Sequence, residues 1–80
     1  MINARYWGKA MIYYRQCIHT KLIFRRTENG PEEYSAKNRE WIMTGEAIEA
    51  FHDSSNYRSI SEEEAKKAIE RQNKAYENNK

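Results

Sequence analysis

Cationic and aromatic side chains are interleaved through the first third of this 80-residue chain. On a β-sheet, aromatic rings beside cations can stack on nucleic-acid bases and neutralise phosphates. Trp, Tyr and Arg are also the residues that dominate protein interfaces. The pattern therefore predicts recognition of another macromolecule. The candidate binding residues are Tyr6, Trp7, Tyr13, Arg15, Lys21 and Arg25.

The charges are segregated along the chain. The first 27 residues contain six basic residues and no acidic one, whereas the remaining positions contain eight basic and twelve acidic residues, a net of −4. A dipolar surface of this kind favours an anionic partner. We expect a protein partner with an acidic surface, such as the target of a phage-type inhibitor or regulator. Single-stranded nucleic acid and a second copy of this chain stay open as alternatives.

Residues that could catalyse a reaction or hold a metal are sparse. Cys17 and His19 could supply two metal ligands, but a tetrahedral site needs three or four, and the other histidine is the remote His52. Nucleophilic catalysis would need His52 as a base close to Cys17. The three glycines are scattered and form no phosphate-binding loop. We therefore predict no enzyme activity, no metal and no cofactor.

Length and composition favour one small domain over residues 1–80, with fraying at 1–8 and 77–80. The ten aromatic residues can build one modest core. The single cysteine excludes an intramolecular disulfide, which a secreted domain of this size would normally need. Apolar runs of signal-peptide or membrane-spanning length are missing. We expect a cytoplasmic protein of bacterial or phage origin that does not bind membranes.

Two segments rich in aromatic and β-branched residues, 10–18 and 21–27, predict a hairpin linked by His19-Thr20. A turn at 28–31 should lead to short strands at 32–36 and 41–43. Because side chains alternate along each strand, we expect four of the candidate side chains to lie together on the solvent-exposed face of the sheet. Those four are Tyr13, Arg15, Lys21 and Arg25.

Two helices should follow the strands. Thr44 can cap a helix that begins near Gly45, and Ser61 with Glu64 forms a capping box for a longer one. Strands followed by helices predict an α+β fold, with an antiparallel sheet of three or four strands and both helices packed on one face. The expected core consists of Ile12, Tyr14, Ile18, Leu22, Phe24, Trp41, Ile48, Phe51, Ile60 and Ile69.

The chain carries four short motifs in this order: Tyr13-Tyr14, Lys21-Leu22, Glu40-Trp41 and Ile60-Ser61-Glu62-Glu63-Glu64-Ala65. Over about residues 11–70 it resembles a group of short bacterial and phage-borne α+β proteins. The resemblance implies an α+β fold and no particular activity. The chain departs from the pattern at Thr20, where the group has Gly, in an apparent insertion at 28–36, and in its strongly basic N-terminal third.

Overall fold

A computed structural model describes residues 11–52 and 55–79, so the candidates Tyr6 and Trp7 lie outside the described residues. The described chain forms an antiparallel sheet in the order β4-β3-β2-β1-β5, together with two helices. The α+β class is thereby confirmed. The elements are β1 Tyr13–Cys17, β2 Ile23–Thr27, β3 Gly30–Ser35, β4 Glu40–Ile42, α1 Gly45–Ala50, β5 Tyr57–Ile60 and α2 Glu62–Asn78.

The β1–β2 hairpin has a longer loop than the predicted two-residue link. The Cys17 backbone N–H donates to the Leu22 carbonyl at 2.9 Å, and the Lys21 N–H donates to the Cys17 carbonyl at 3.0 Å. Lys21 has a φ of 68°, in the left-handed region that non-glycine residues rarely occupy. Both strands are shorter than the composition suggested, because Ile18 and Leu22 lie in the loop and because β1 begins only at Tyr13.

The β2–β3 hairpin turns inside the predicted segment 28–31, at Glu28 and Asn29, and β3 begins at Gly30 rather than at residue 32. Gly30 has a φ of 108° and pairs with Thr27 where β2 turns into β3. Glycine suits this position because it lacks the Cβ that makes positive φ costly. β3 then pairs with β4, which brings Tyr34 opposite Trp41.

The sheet has five strands rather than three or four, because Tyr57–Ile60 pairs with β1 as an edge strand. Its two apolar side chains are three residues apart and so point to opposite faces of the sheet. Tyr57 packs with Phe24, whereas Ile60 packs with Ile23. A strand of this kind shows no apolar alternation, so it could not be recognised from its residue pattern.

The helices lie on opposite faces of the sheet, and the expectation of both on one face is wrong. Ala47 of α1 packs with Phe24, and Ala65 of α2 packs with Ile23. Phe24 and Ile23 are neighbours in β2 and both are fully buried, because adjacent residues of a strand face opposite sides. We call the two sides of the sheet the α1 face and the α2 face.

The core differs from the expected set accordingly. Phe24 and Ile60 are buried as predicted, and Tyr14, Leu22, Trp41, Phe51 and Ile69 are half-buried. Ile12, Ile18 and Ile48 are exposed: the first two flank β1 beyond its ends, and the third is on α1 away from the sheet. Small residues let the helices approach the sheet closely. The buried residues that the prediction missed are Cys17, Ile23, Tyr34, Ala47, Ala50, Tyr57, Ala65 and Ala68.

Candidate functional site

The strand register decides which candidates share a surface. Tyr13 pairs with Arg26, and Tyr14 pairs with Arg25. Residues directly opposite each other on neighbouring strands point to the same face. Tyr13 therefore shares the α1 face with Arg26, whereas Arg25 lies on the α2 face.

The other two candidates divide in the same way. Arg15 pairs with Phe24 and so joins Tyr13 on the α1 face. Lys21 lies in the hairpin loop at the far end of β1, where it lines a concavity on the α2 face. The four predicted residues thus do not form one surface, because a shift of one position along a strand reverses the face.

Arg25 is occupied within the fold. Its Nε donates to Glu32 Oε1 at 2.7 Å, and its guanidinium carbon lies 4.4 Å from the centroid of the Trp41 ring. The side chains of this ion pair are only 27% and 17% exposed. A cation that is paired and stacked in this way fastens β2 to β3 and β4. It is poorly placed to meet a partner.

The open end of the α1 face gathers two cations around an exposed ring. We call this surface the Tyr13 patch. Because α1 has only six residues, it leaves the Tyr13 side chain 53% exposed. No acidic residue lines this concavity within the described chain. The patch consists of Tyr13, Arg15, Arg26, Phe51 and Ser59.

The two cations of the Tyr13 patch are held differently. Arg15 Nη1 donates to the Ala50 carbonyl at 3.4 Å, and its guanidinium carbon lies 5.7 Å from the centroid of the Phe51 ring. The carbonyls that end a helix carry partial negative charge, which favours a cation there. Arg26 is exposed and forms no ion pair with any described residue. Arg15 is therefore a fixed charge, and Arg26 is an available one.

Met11 extends the Tyr13 patch toward the N-terminal end of β1 and is 70% exposed. Ile12, which is 44% exposed, lines a different concavity together with Tyr14 and Ile60. The Tyr13 hydroxyl donates to the Met11 sulfur at 3.7 Å, so the two side chains lie together. Sequence reasoning placed Ile12 in the core, and a strand beginning at Tyr13 rather than at residue 10 is the reason it lies outside.

The residues considered for catalysis lie apart from the patch. Cys17 is buried against Phe24 and Tyr57, and hydrogen bonds involving Thr20 lower the pKa of its thiol from the ordinary value. His19 is exposed and contacts Asn56 Oδ1 at 3.2 Å through Nε2. Among residues 11–52 and 55–79, no group of three or more His, Cys, Asp or Glu side chains could hold a metal ion.

Compared with protein-family models, curated proteins and solved structures, the chain matches none. The helices in the described ranges include none that is long and apolar enough to cross a membrane. The function is therefore inferred from the exposed side chains and their positions.

Proposed function

We propose that this protein is a non-enzymatic binding module that docks the acidic surface of a partner protein through the Tyr13 patch. The proposal rests on one observation: an exposed Tyr ring lies between Arg15 and Arg26 on one sheet face, where no described acidic residue lines the surface. Tyr and Arg are enriched among the residues that carry most of an interface's binding energy. Their positive charge complements acidic groups and speeds encounter with them.

An exposed apolar side chain beside the patch favours a protein over a nucleic acid. Met11 can contribute to binding through burial of apolar area, and Met adapts to irregular surfaces. Aliphatic side chains neither stack well on bases nor neutralise phosphates. A regulator or inhibitor of a cytoplasmic bacterial protein is the role that we assign.

Single-stranded nucleic acid is the second candidate, because the exposed ring of Tyr13 beside Arg26 could hold a stacked base next to its phosphate. Sheets that bind such strands usually offer two or three rings. On the α1 face Phe24 and Tyr57 are buried, and the half-buried Phe51 ring is covered by Arg15, so among the described residues Tyr13 offers the one well-exposed ring for stacking.

Affinity capture with matched baits tests the first candidate. The wild-type protein, Tyr13→Ala, Arg26→Glu and Lys74→Glu would be immobilised and exposed to a bacterial lysate. Lys74 is an exposed cation on α2, so its variant has the same charge change away from the Tyr13 patch. We expect the first two variants to lose, by about tenfold or more, a protein that the wild type and Lys74→Glu both retain. Equal capture by all four baits contradicts the proposal.

Fluorescence anisotropy of labelled single-stranded DNA and RNA tests the second candidate, nucleic-acid binding. Binding that is saturable at about 50 mM salt and collapses at about 200 mM would support nucleic acid, because released counterions drive such binding. It should also fall on Tyr13→Ala. Thermal unfolding followed by circular dichroism serves as the folding control, since substitutions at exposed positions usually change stability by less than about 0.5 kcal/mol.

A further inference from the structure

A second concavity opens on the α2 face, between the β1–β2 loop, β5 and the C-terminal half of α2. We call it the α2 cleft. Lys21 comes from the loop, Arg58 from β5 and Arg71 from α2, so three separate elements bring cations to one place. Gln16 and Gln72 line it as well, and the remaining lining residues are alanines, with no acidic residue among those described.

A buried amide links two of these cation-bearing elements. Gln16 is only 7% exposed. Its Oε1 accepts from Arg58 Nη2 at 3.3 Å, and its Nε2 donates to the Lys21 carbonyl at 3.1 Å. A buried polar side chain is costly unless its hydrogen bonds are satisfied. Here the oxygen and the nitrogen of the Gln16 amide are both hydrogen-bonded. These bonds hold Arg58 and the Lys21 backbone in position at the edge of the cleft.

The backbone conformation of Lys21 is a second unusual feature of the cleft. Its φ of 68° is unfavourable for any residue with a Cβ, and Gly or Asn is usual there. The Lys21 carbonyl is held from two sides, since Gln72 Nε2 also donates to it, at 2.6 Å. Strained positions that their surroundings hold in place cluster at functional sites.

Lys21 and Arg39 both have positive φ, but only Arg39 forms an ion pair with a described residue. Arg39, in the β3–β4 turn, also has positive φ, at 54°, and forms an ion pair with Glu77 of α2. Lys21 and Arg71 have no ion-pair partner among residues 11–52 and 55–79. The charge of Arg58 does act on Glu64, but the Glu64 carboxylate accepts from the Ser61 backbone N–H at 2.8 Å and so is committed to the helix cap.

We propose that the α2 cleft binds a small phosphomonoester, with its phosphate held by Lys21, Arg58 and Arg71. Three converging cations repel one another, and a dianionic phosphate would relieve that repulsion. The planar guanidinium of Arg binds phosphate oxygens in pairs, and Lys supplies a point charge. The small side chains of Ala68 and Ala75 leave space along α2 for the rest of the ligand.

This site is independent of the Tyr13 patch, because it lies on the other face of the sheet. The test is a titration of the ¹⁵N-labelled 80-residue chain with glycerol 3-phosphate and with inorganic phosphate, followed by amide chemical shifts. Sodium chloride at matched ionic strength is the control. We expect saturable shifts at the amides of Lys21, Arg58 and Arg71, with glycerol 3-phosphate binding more tightly than inorganic phosphate.

No saturation by either probe up to about 20 mM, well above the dissociation constant of a weak millimolar site, would overturn the proposal. Shifts confined to Tyr13 and Arg26 would overturn it as well.

Charge-removing variants locate the site. Arg58→Gln and Arg71→Gln should each weaken glycerol 3-phosphate binding by about fivefold or more, because each removes a charge-assisted hydrogen bond. Lys74→Gln removes a cation from the same helix outside the cleft and should bind like the wild type. Equal affinity in all four proteins contradicts the assignment, whereas Arg26→Glu should leave phosphate binding unchanged whether or not the Tyr13 patch docks a protein.

Lys21→Gly separates binding from folding. Glycine relieves the positive φ, so the melting temperature should rise by roughly 3–5 °C. The same variant lacks the ammonium group and should bind glycerol 3-phosphate about threefold or more weakly. A more stable protein that binds less well cannot be explained by misfolding. Unchanged affinity in Lys21→Gly would remove Lys21 from the site and overturn the proposed three-cation arrangement.

Discussion

The two faces of one sheet are covered to different extents. α1 has six residues and leaves the Tyr13 end of its face open, whereas α2 has 17 residues and covers Ile23, Tyr34 and Ile60. The arginines on the two faces also differ. On the α2 face Arg25 is held by Glu32 and Trp41, whereas on the α1 face Arg26 stays exposed.

Arg25 and Arg26 show this difference between neighbours in sequence. Arg25 points to the α2 face, where Glu32 and Trp41 hold it. Arg26 points to the α1 face beside Tyr13 and has no ion-pair partner among the described residues. Strand alternation thus gives Arg25 a structural role and leaves the adjacent Arg26 exposed for the recognition role that we propose.

The largest predicted effect tests whether both faces carry the core. Phe24→Ala should lower the free energy of unfolding by about 3–5 kcal/mol, and Ile23→Ala by about 2–4 kcal/mol, because each leaves a cavity. Both side chains are fully buried, and Phe24 also packs edge-on against Tyr57 at a centroid distance of 5.5 Å. Urea unfolding measures both losses.

Alanine at either position could unfold so small a domain outright. Ile23→Val is the milder control, with an expected loss of about 1 kcal/mol. A near-zero cost for Ile23→Ala, together with a large cost for Phe24→Ala, would show that α2 contributes little to the core and would undo the two-sided description.

The second prediction contrasts the neighbouring arginines. Arg25→Ala should destabilise the fold by about 1–2 kcal/mol, since it removes the contact with Trp41 and leaves the half-buried Glu32 carboxylate unpaired. Arg26→Ala should cost less than about 0.5 kcal/mol, because its side chain is exposed. Thermal and urea unfolding of the two variants, measured side by side, decide the point. Equal losses would mean that the register does not separate their roles.

The third prediction compares the helix caps. Thr44 Oγ1 accepts from the Ala47 N–H at 3.0 Å and donates to Glu33 Oε1 at 2.9 Å, so it ties α1 to β3 as well as capping it. Thr44→Ala should cost about 1.5 kcal/mol, against about 1 kcal/mol for Ser61→Ala on the exposed cap of α2. Thr44→Ser keeps the hydroxyl and is the matched control. A larger loss at Ser61 would indicate that α2 depends on its cap more than on its packing.

The smallest predicted effect is the loss of stability at high pH that is caused by Tyr57 on the α1 face. Burial, and then the charge of Glu46, raises the pKa of the Tyr57 phenol above its ordinary value of 10.0. A raised pKa in the folded state means that the associated stability is complete below pH 10 and is lost as pH rises through the folded-state pKa. Stability measured between pH 8 and 11 should therefore fall less steeply in Tyr57→Phe than in the wild type. Identical slopes would remove Tyr57 as the cause.

Local features of the fold could be read from the sequence. The Ser61–Glu64 capping box forms both of its bonds, at 2.8 and 3.1 Å, and Thr44 caps α1. The turn at Gly30 and the β1–β2 pairing also follow the prediction. These features involve groups a few residues apart, so their geometry depends mainly on nearby backbone and side-chain chemistry.

Features that join distant parts of the chain could not be read in this way. Residues 57–60 form a strand because they pair with the edge of β1, where Cys17 lies opposite Tyr57. The apolar pattern of these residues alone does not indicate a strand. The separation of Arg25 from Tyr13, and the meeting of Lys21, Arg58 and Arg71, depend on register and on the helix that covers each face.

The sequence by itself determined the α+β class, the helix starts, the turn before Gly30 and the concentration of cations in the first third of the chain, because composition and short-range hydrogen bonding suffice for these. Tertiary structure alone decided which cations are used by the fold, which face the open Tyr13 patch and which converge in the α2 cleft. A shift of one residue along a strand moves a side chain to the other side of the sheet, and the register that fixes this choice depends on turn geometry and on packing of each face.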